Sequence, residues 1–142
     1  MRDTSVKRWS AIHARLYRMT RGLIGRRFVG NDMLLLTTKG HLSGEDHTVP
    51  LLCITDGDRY VVVASHGGRP RHPAWYDNLV ADPAVQVQVR SRHLSMRART
   101  ATSEERERWW PRVVDAYHDY AVYQSRTERV IPVVFLEPTE ES

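Results

Sequence analysis

The stretch Val85-Gln86-Val87-Gln88-Val89-Arg90-Ser91-Arg92-His93-Leu94-Ser95-Met96-Arg97-Ala98-Arg99 decides the fold. Valine alternates with glutamine over residues 85–89. Leu94, Met96 and Ala98 then alternate with Ser95, Arg97 and Arg99. A period of two places the apolar side chains of each run on one strand face and the polar ones on the other. With Ser91-Arg92 as the turn, the runs read as an antiparallel hairpin with one wet face. Upstream, Met33–Lys39 reads as a strand and Gly40–Asp46 as a polar loop. Thr48–Thr55 is a second strand, with Pro50 marking an edge or bulge. Asp56-Gly57-Asp58 is a hairpin turn into the apolar run Tyr60–Ala64, which reads as a buried strand. Val130–Leu136 closes the series, bent or delayed by Pro132. Helices are expected over residues 5–23, over Ala74–Ala81 up to Asp82-Pro83, and from the capping box Thr102–Glu105 toward Tyr117. Hairpin links without strand–helix–strand alternation argue against a doubly wound parallel sheet. They predict an α+β, mainly β domain: a largely antiparallel barrel of about six strands with peripheral helices.

The chain has 142 residues, 41% hydrophobic and 27% charged, the composition of one soluble globular domain. No apolar run approaches the roughly 20 residues that span a bilayer. The N-terminus lacks the apolar core of a secretory signal. Cys53 is the single cysteine and lies in the apolar run Leu51–Ile54, so it reads as an inert core residue in a reducing cytoplasm. The net charge of +4 conceals an asymmetry. Residues 1–30 hold eight basic residues against Asp3 alone, and the rest of the chain is net acidic. Val6, Trp9, Ile12, Leu16, Met19 and Leu23 share one helical arc, and Lys7, Arg8, Arg15, Arg18 and Arg21 occupy the opposite one. Such a helix either caps its own domain or lies on the anionic inner face of a membrane. The expected division is a basic amphipathic helix and linker over residues 1–30 and the barrel over 31–142. Positive charge confined to one short segment argues against nucleic-acid binding.

The chemistry concentrates in Ala64-Ser65-His66-Gly67-Gly68-Arg69-Pro70-Arg71-His72-Pro73-Ala74-Trp75-Tyr76-Asp77-Asn78-Leu79. A strand that empties into two glycines and a helix start presents several backbone N–H groups together. Arg69 and Arg71 add charge, and the result suits an anionic ligand. An ordinary solvated loop explains the same residue types. No His/His or Cys/His pair has ligand spacing, so no metal site is expected. Tyr117, Tyr120 and Tyr123 share a face if their segment is helical. They read either as an aromatic core stripe or as the wall of a pocket for an oxygen-rich ligand.

Taken in order, these segments resemble the deazaflavin (coenzyme F420)-dependent nitroreductase and quinone reductase family. The likeness is carried by Leu36-Thr37-Thr38-Lys39-Gly40-His41-Leu42-Ser43-Gly44, Pro50-Leu51, Ala64–Leu79, Asp82-Pro83 with Val85–Val89, Tyr117–Thr127 and Ile131-Pro132-Val133. The resemblance implies a split β-barrel and hydride transfer from reduced F420 to a quinone, nitroaromatic or enone acceptor. It implies that Lys39, His41, Leu42, Ser43, Gly44 and Pro50 lie along the cofactor's anionic side. Ala64, Ser65, His66, Gly67, Gly68 and Arg71 would contact its phosphate or ring, with Trp75, Tyr76 and Asn78 holding the loop and its helix. Tyr117, Tyr120 and Tyr123 would form the acceptor pocket, in a slot facing Ser65–Gly68. Where the family commonly has Arg-Lys before Ser-Gly this chain has His41-Leu42, and where it has Lys after Ala-Ser it has His66. These departures keep two alternatives in view: an FMN-dependent oxidoreductase, and a non-enzymatic barrel carrying a lipid-like or other apolar ligand.

Overall fold

The computed structural model describes residues 32–139. The basic helix expected over residues 5–23, its membrane reading and the boundary at residue 30 lie outside them. Six strands form a closed barrel: β1 (Asp32–Lys39), β2 (Asp46–Asp56), β3 (Arg59–Val63), β4 (Ala84–Val89), β5 (Arg92–Thr100) and β6 (Val133–Pro138). Their order around the barrel is β1-β2-β3-β6-β5-β4, closed by β4 against β1, and every pair is antiparallel. Three helices are added: α1 (Ala74–Ala81), α2 (Ser103–Ala116) and α3 (Asp119–Ser125).

The alternation works as the period-two argument requires. Val85, Val87, Val89, Met96 and Ala98 point inward and join Leu34, Leu36, Tyr60, Val62, Val134 and Leu136 in one core, which Trp75 and Leu79 of α1 plug. On the outer face Ser95 Oγ donates to Gln86 Oε1 across the hairpin (3.1 Å). β3 and β6 are covered on both faces. Val61, Val63, Val133 and Phe135 pack outward against Trp109 and Val113 of α2, Tyr120 of α3 and Ile131. This double burial explains their unbroken apolar runs, and each such side chain contributes about 1.5–3 kcal/mol.

The helix signals are also realised. Thr102 Oγ1 accepts from the Glu105 amide and Glu105 returns the bond to the Thr102 amide, so α2 starts on a capping box. The β4–β5 turn falls at Arg90-Ser91, one residue early, with Arg90 at φ 56°. Pro132 delays the last strand to Val133.

Two features of the barrel position the site. The tight turns β2–β3 and β4–β5 lie at one end, so residues 40–45, 64–83 and 101–132 all gather at the other. The second feature is a split in the wall. β2 pairs with β3 only at Ile54↔Val61, Thr55↔Tyr60 and Asp56↔Arg59, while its first eight residues pair with β1 alone. The two strands therefore splay toward the loop-rich end. Pro50, opposite Leu35 of β1, sits on that open edge, where its missing N–H costs no ladder bond.

Candidate functional site

β3 ends at Val63, and the next amide, Ala64, donates to Pro132 O (3.0 Å). The chain then turns through Ser65 (φ −74°, ψ −39°), His66 (φ 50°), Gly67 (φ 64°) and Gly68 (φ 80°). A right-handed residue followed by a left-handed one aims successive N–H groups into one concavity, an anion-binding nest. The Gly68 and Arg69 amides are used within the turn, on Ser65 O and His66 O. Those of Ser65, His66 and Gly67 have no acceptor among the described residues. Gly68 is required twice over. Its φ is left-handed, and a Cβ there would lie 2.5 Å from Tyr123 O of α3. The turn thus sits directly on α3, and no slot separates Gly68 from Tyr123. The expected opening between them is absent at this point.

Arg129, which the sequence did not single out, holds this loop from beneath. It donates to Ala64 O (3.3 Å), Ser65 O (2.7 Å) and Arg69 O (2.9 Å), and its Nη1 lies 2.9 Å from His72 Nδ1. A guanidinium only donates, so His72 Nδ1 accepts and the ring proton sits on Nε2. Burial, then the Arg129 charge, push the His72 pKa below its ordinary value, against an opposing pull from Asp77. His66 Nδ1 donates to Arg71 O (3.1 Å), and the Arg71 side chain is exposed.

The loop of residues 40–45 is tied to α1 by Asn78. This buried amide accepts from the His41 amide (3.0 Å) and from His41 Nδ1 (2.6 Å), and its Nδ2 donates to Thr38 Oγ1 (3.0 Å). Ser43 Oγ accepts from the Glu45 amide, and Gly44 (φ 74°) donates to Gly40 O. Lys39 is exposed and Leu42 is 89% exposed. Tyr76 Oη bonds Thr100 Oγ1 (3.0 Å), and Trp75 is buried in the barrel core. Asn78 therefore ties the loop of residues 40–45 to α1, while Trp75 and Tyr76 fix α1 to the barrel.

The tyrosines come together by a different route from one continuous helix. Tyr117 is extended (φ −152°) and ends α2, and Tyr120 and Tyr123 belong to α3. Their rings still pack edge-on, with centroids 5.0 Å apart for Tyr117–Tyr120 and 6.2 Å for each of the other pairs. Tyr117 Oη donates to Asp119 Oδ2 (2.6 Å) and lies 3.2 Å from Tyr123 Oη. Tyr120 is buried, which raises the pKa of its phenol above the ordinary value and keeps the O–H intact. Beside it a small apolar recess is lined by Cys53, Ile54, Val61, Val63, Tyr117 and Tyr120. Cys53 is buried, as its apolar strand implied.

A family model described as F420H(2)-dependent quinone reductase matches residues 9–138. The chain belongs to the F420H(2)-dependent quinone reductase family. The F420H(2)-dependent quinone reductase Rv1261c of Mycobacterium tuberculosis is 40% identical over 129 residues, 88% of this chain and 87% of that one. A second protein of that organism, Rv3178, is 47% identical over 105 residues, 74% of this chain and 88% of that one. A solved F420-H2 dependent reductase (FDR-A) superposes with a TM-score of 0.68 at 45% identity, covering 75% of this chain and 94% of that one. As a member of the F420H(2)-dependent quinone reductase family, this chain is an oxidoreductase, and its cofactor is coenzyme F420. The donor set fits that group: the Ser65, His66 and Gly67 amides, without an acceptor among the described residues, and the exposed Lys39 and Arg71 suit an anionic tail.

Proposed function

We propose that the chain uses reduced F420 to reduce a quinone-type acceptor at the loop-rich end of the barrel. The observation that carries this reading is the nest. The amides of Ser65, His66 and Gly67 have no acceptor among the described residues and stand on a turn that abuts the tyrosine cluster. In this reading those amides, with Lys39 and Arg71, receive the anionic part of the cofactor. Ser43, Gly44 and Pro50 border the same side, and Ala64 continues the floor from β3.

Bound F420H2 supplies the hydride, so the chain needs neither a nucleophile nor a metal of its own. Its residues must orient two flat rings and stabilise charge on the acceptor oxygen. Reduction of a quinone to a hydroquinone needs one proton beyond the hydride. In this reading the phenols of Tyr117, Tyr120 and Tyr123 donate it.

The finer setting is a membrane surface, supported by the opposed basic and apolar arcs of residues 5–23. Among the described residues no helix is long and apolar enough to cross a membrane. Co-sedimentation with anionic vesicles at low salt, lost at high salt, is the expected result. Equal pelleting with neutral vesicles removes the membrane reading.

The function is tested by titrating the protein with oxidised and reduced F420, with FMN as control. Saturable binding of the deazaflavin alone, and its oxidation on adding menadione, are expected. Saturable FMN binding without F420 binding contradicts the reading.

A further inference from the structure

We infer that residues 5–23 lie with their apolar arc against the outer face of β1, which leaves the basic arc turned to solvent. The burial of Leu35 carries this. Leu34 and Leu36 point into the barrel core, so Leu35 and Thr37 point outward. The register agrees: Leu35 pairs with Pro50 and Gln88, and Thr37 pairs with Thr48, their hydroxyls 2.7 Å apart. An outward side chain on a bare sheet keeps its tip in water, as the exposed Gln86 does beside Thr37. Leu35 is 0% exposed and Thr37 4%. The described helices are occupied elsewhere: α1 plugs the core with Trp75 and Leu79, and α2 and α3 pack on β3 and β6. Leu35 belongs to neither of those apolar clusters.

The burial is reached within one chain, so the cover comes from residues outside 32–139. Glu140-Glu141-Ser142 is polar and follows β6, which has two strands between it and β1 either way round the barrel. Residues 1–31 run directly into β1 and carry the apolar arc of Val6, Trp9, Ile12, Leu16, Met19 and Leu23. As a helix, the stretch from Val6 to Leu23 is about 25 Å long, the same as a strand the length of β1. Residues 24–31, with Gly25 and Gly30, reach up to about 27 Å, enough to reverse the chain and lay the helix back along the strand. The family match begins at residue 9, so most of the segment belongs to the family's common domain. An apolar arc on an apolar outer face buries both.

A proximity measurement on the full chain tests this. The protein carries fluorotryptophan, and Cys53→Ala frees the background for one nitroxide on an introduced cysteine. Gln86→Cys puts the nitroxide on the outer face beside Thr37, and Glu107→Cys puts it on α2, over the opposite wall. The Trp9 fluorine signal, identified with Trp9→Phe, is expected to broaden strongly with the first label and little with the second. Equal broadening by both, or none from Gln86→Cys, overturns the inference. Fluorinated protein without nitroxide is also mixed with nitroxide-bearing protein without fluorine. Broadening of Trp9 in that mixture overturns the inference in favour of a second copy on this face.

The membrane reading separates from this one. With the apolar arc on the barrel, only the basic arc meets phosphatidylglycerol vesicles. Ile12→Ser with Leu16→Ser is expected to lower the urea midpoint by at least about 1 M and to leave low-salt pelleting intact. Lys7→Ser, Arg8→Ser and Arg15→Ser together are expected to do the reverse. Loss of pelleting at an unchanged urea midpoint in the Ile12→Ser, Leu16→Ser protein overturns the inference, because the apolar arc is then in the lipid. Wild-type protein that pellets with no vesicle removes the membrane surface alone, and the Trp9 measurement still decides where the arc lies.

Discussion

Arg129 Nη1 donates to His72 Nδ1 across 2.9 Å, fixing the imidazole as neutral in the folded protein. Protonation would remove the acceptor and set two cations face to face. The folded-state pKa of His72 is lowered by burial and by Arg129, so the folded protein binds this proton less readily than the unfolded chain. The His72 contribution is full above the unfolded value of about 6.5 and is lost as pH falls below it toward the folded value. Urea unfolding across that window is expected to show stability declining with falling pH. His72→Asn, which retains an acceptor and cannot protonate, is expected to flatten the slope. Identical slopes for the two proteins contradict the assignment.

Arg129→Ala strips three carbonyls of their shared donor. A loss of about 3 kcal/mol is expected in urea unfolding, as for charge-assisted bonds to partly buried groups, with F420 binding weakened at least about tenfold. Arg129→Lys is expected to restore little, since one ammonium cannot reach Ala64 O, Ser65 O and Arg69 O in that fork. Full rescue by lysine shows that charge, not geometry, holds the loop.

The two glycines of the turn separate strain from contact. Gly67 has a left-handed φ and open space at its Cβ, so Gly67→Ala is expected to cost about 1 kcal/mol. Gly68→Ala adds a collision with Tyr123 O and is expected to cost at least about 1 kcal/mol more. Thermal unfolding ranks them, and equal losses contradict the seating of the turn on α3.

Leu42 projects into solvent on the loop that His41 and Asn78 anchor. Leu42→Lys introduces a cation without disturbing packing. It is expected to tighten F420 binding about two- to fivefold at low salt, the scale of an exposed ion pair, with the gain fading at high salt. Fluorescence titration at two ionic strengths measures it. No gain at either strength removes this loop from the anionic side of the site.

Much of this arrangement was legible before any coordinates. Val85–Ala98 carries its alternation openly because one face of that hairpin is wet. The Thr102–Glu105 box and the Ala74–Ala81 helix are local signals read from neighbouring residues. What escaped was long-range. Arg129 reaches the loop across more than 55 residues of chain, and one arginine in a polar segment looks like any other. The early start of β2 at Asp46 was hidden because its first residues are polar and exposed, so they carry no apolar signature. The tyrosine spacing suggested one helix, whereas the chain straightens at Tyr117 and restarts. The triad survives because edge-on ring packing, rather than helical phase, gathers it.

The most direct test follows backbone amide NMR signals while F420 is added to the protein. The account expects the Ser65, His66 and Gly67 amides to shift most and to saturate together with the binding seen by cofactor fluorescence. Saturable binding that leaves those three signals in place, with the large shifts on another face of the barrel, contradicts it.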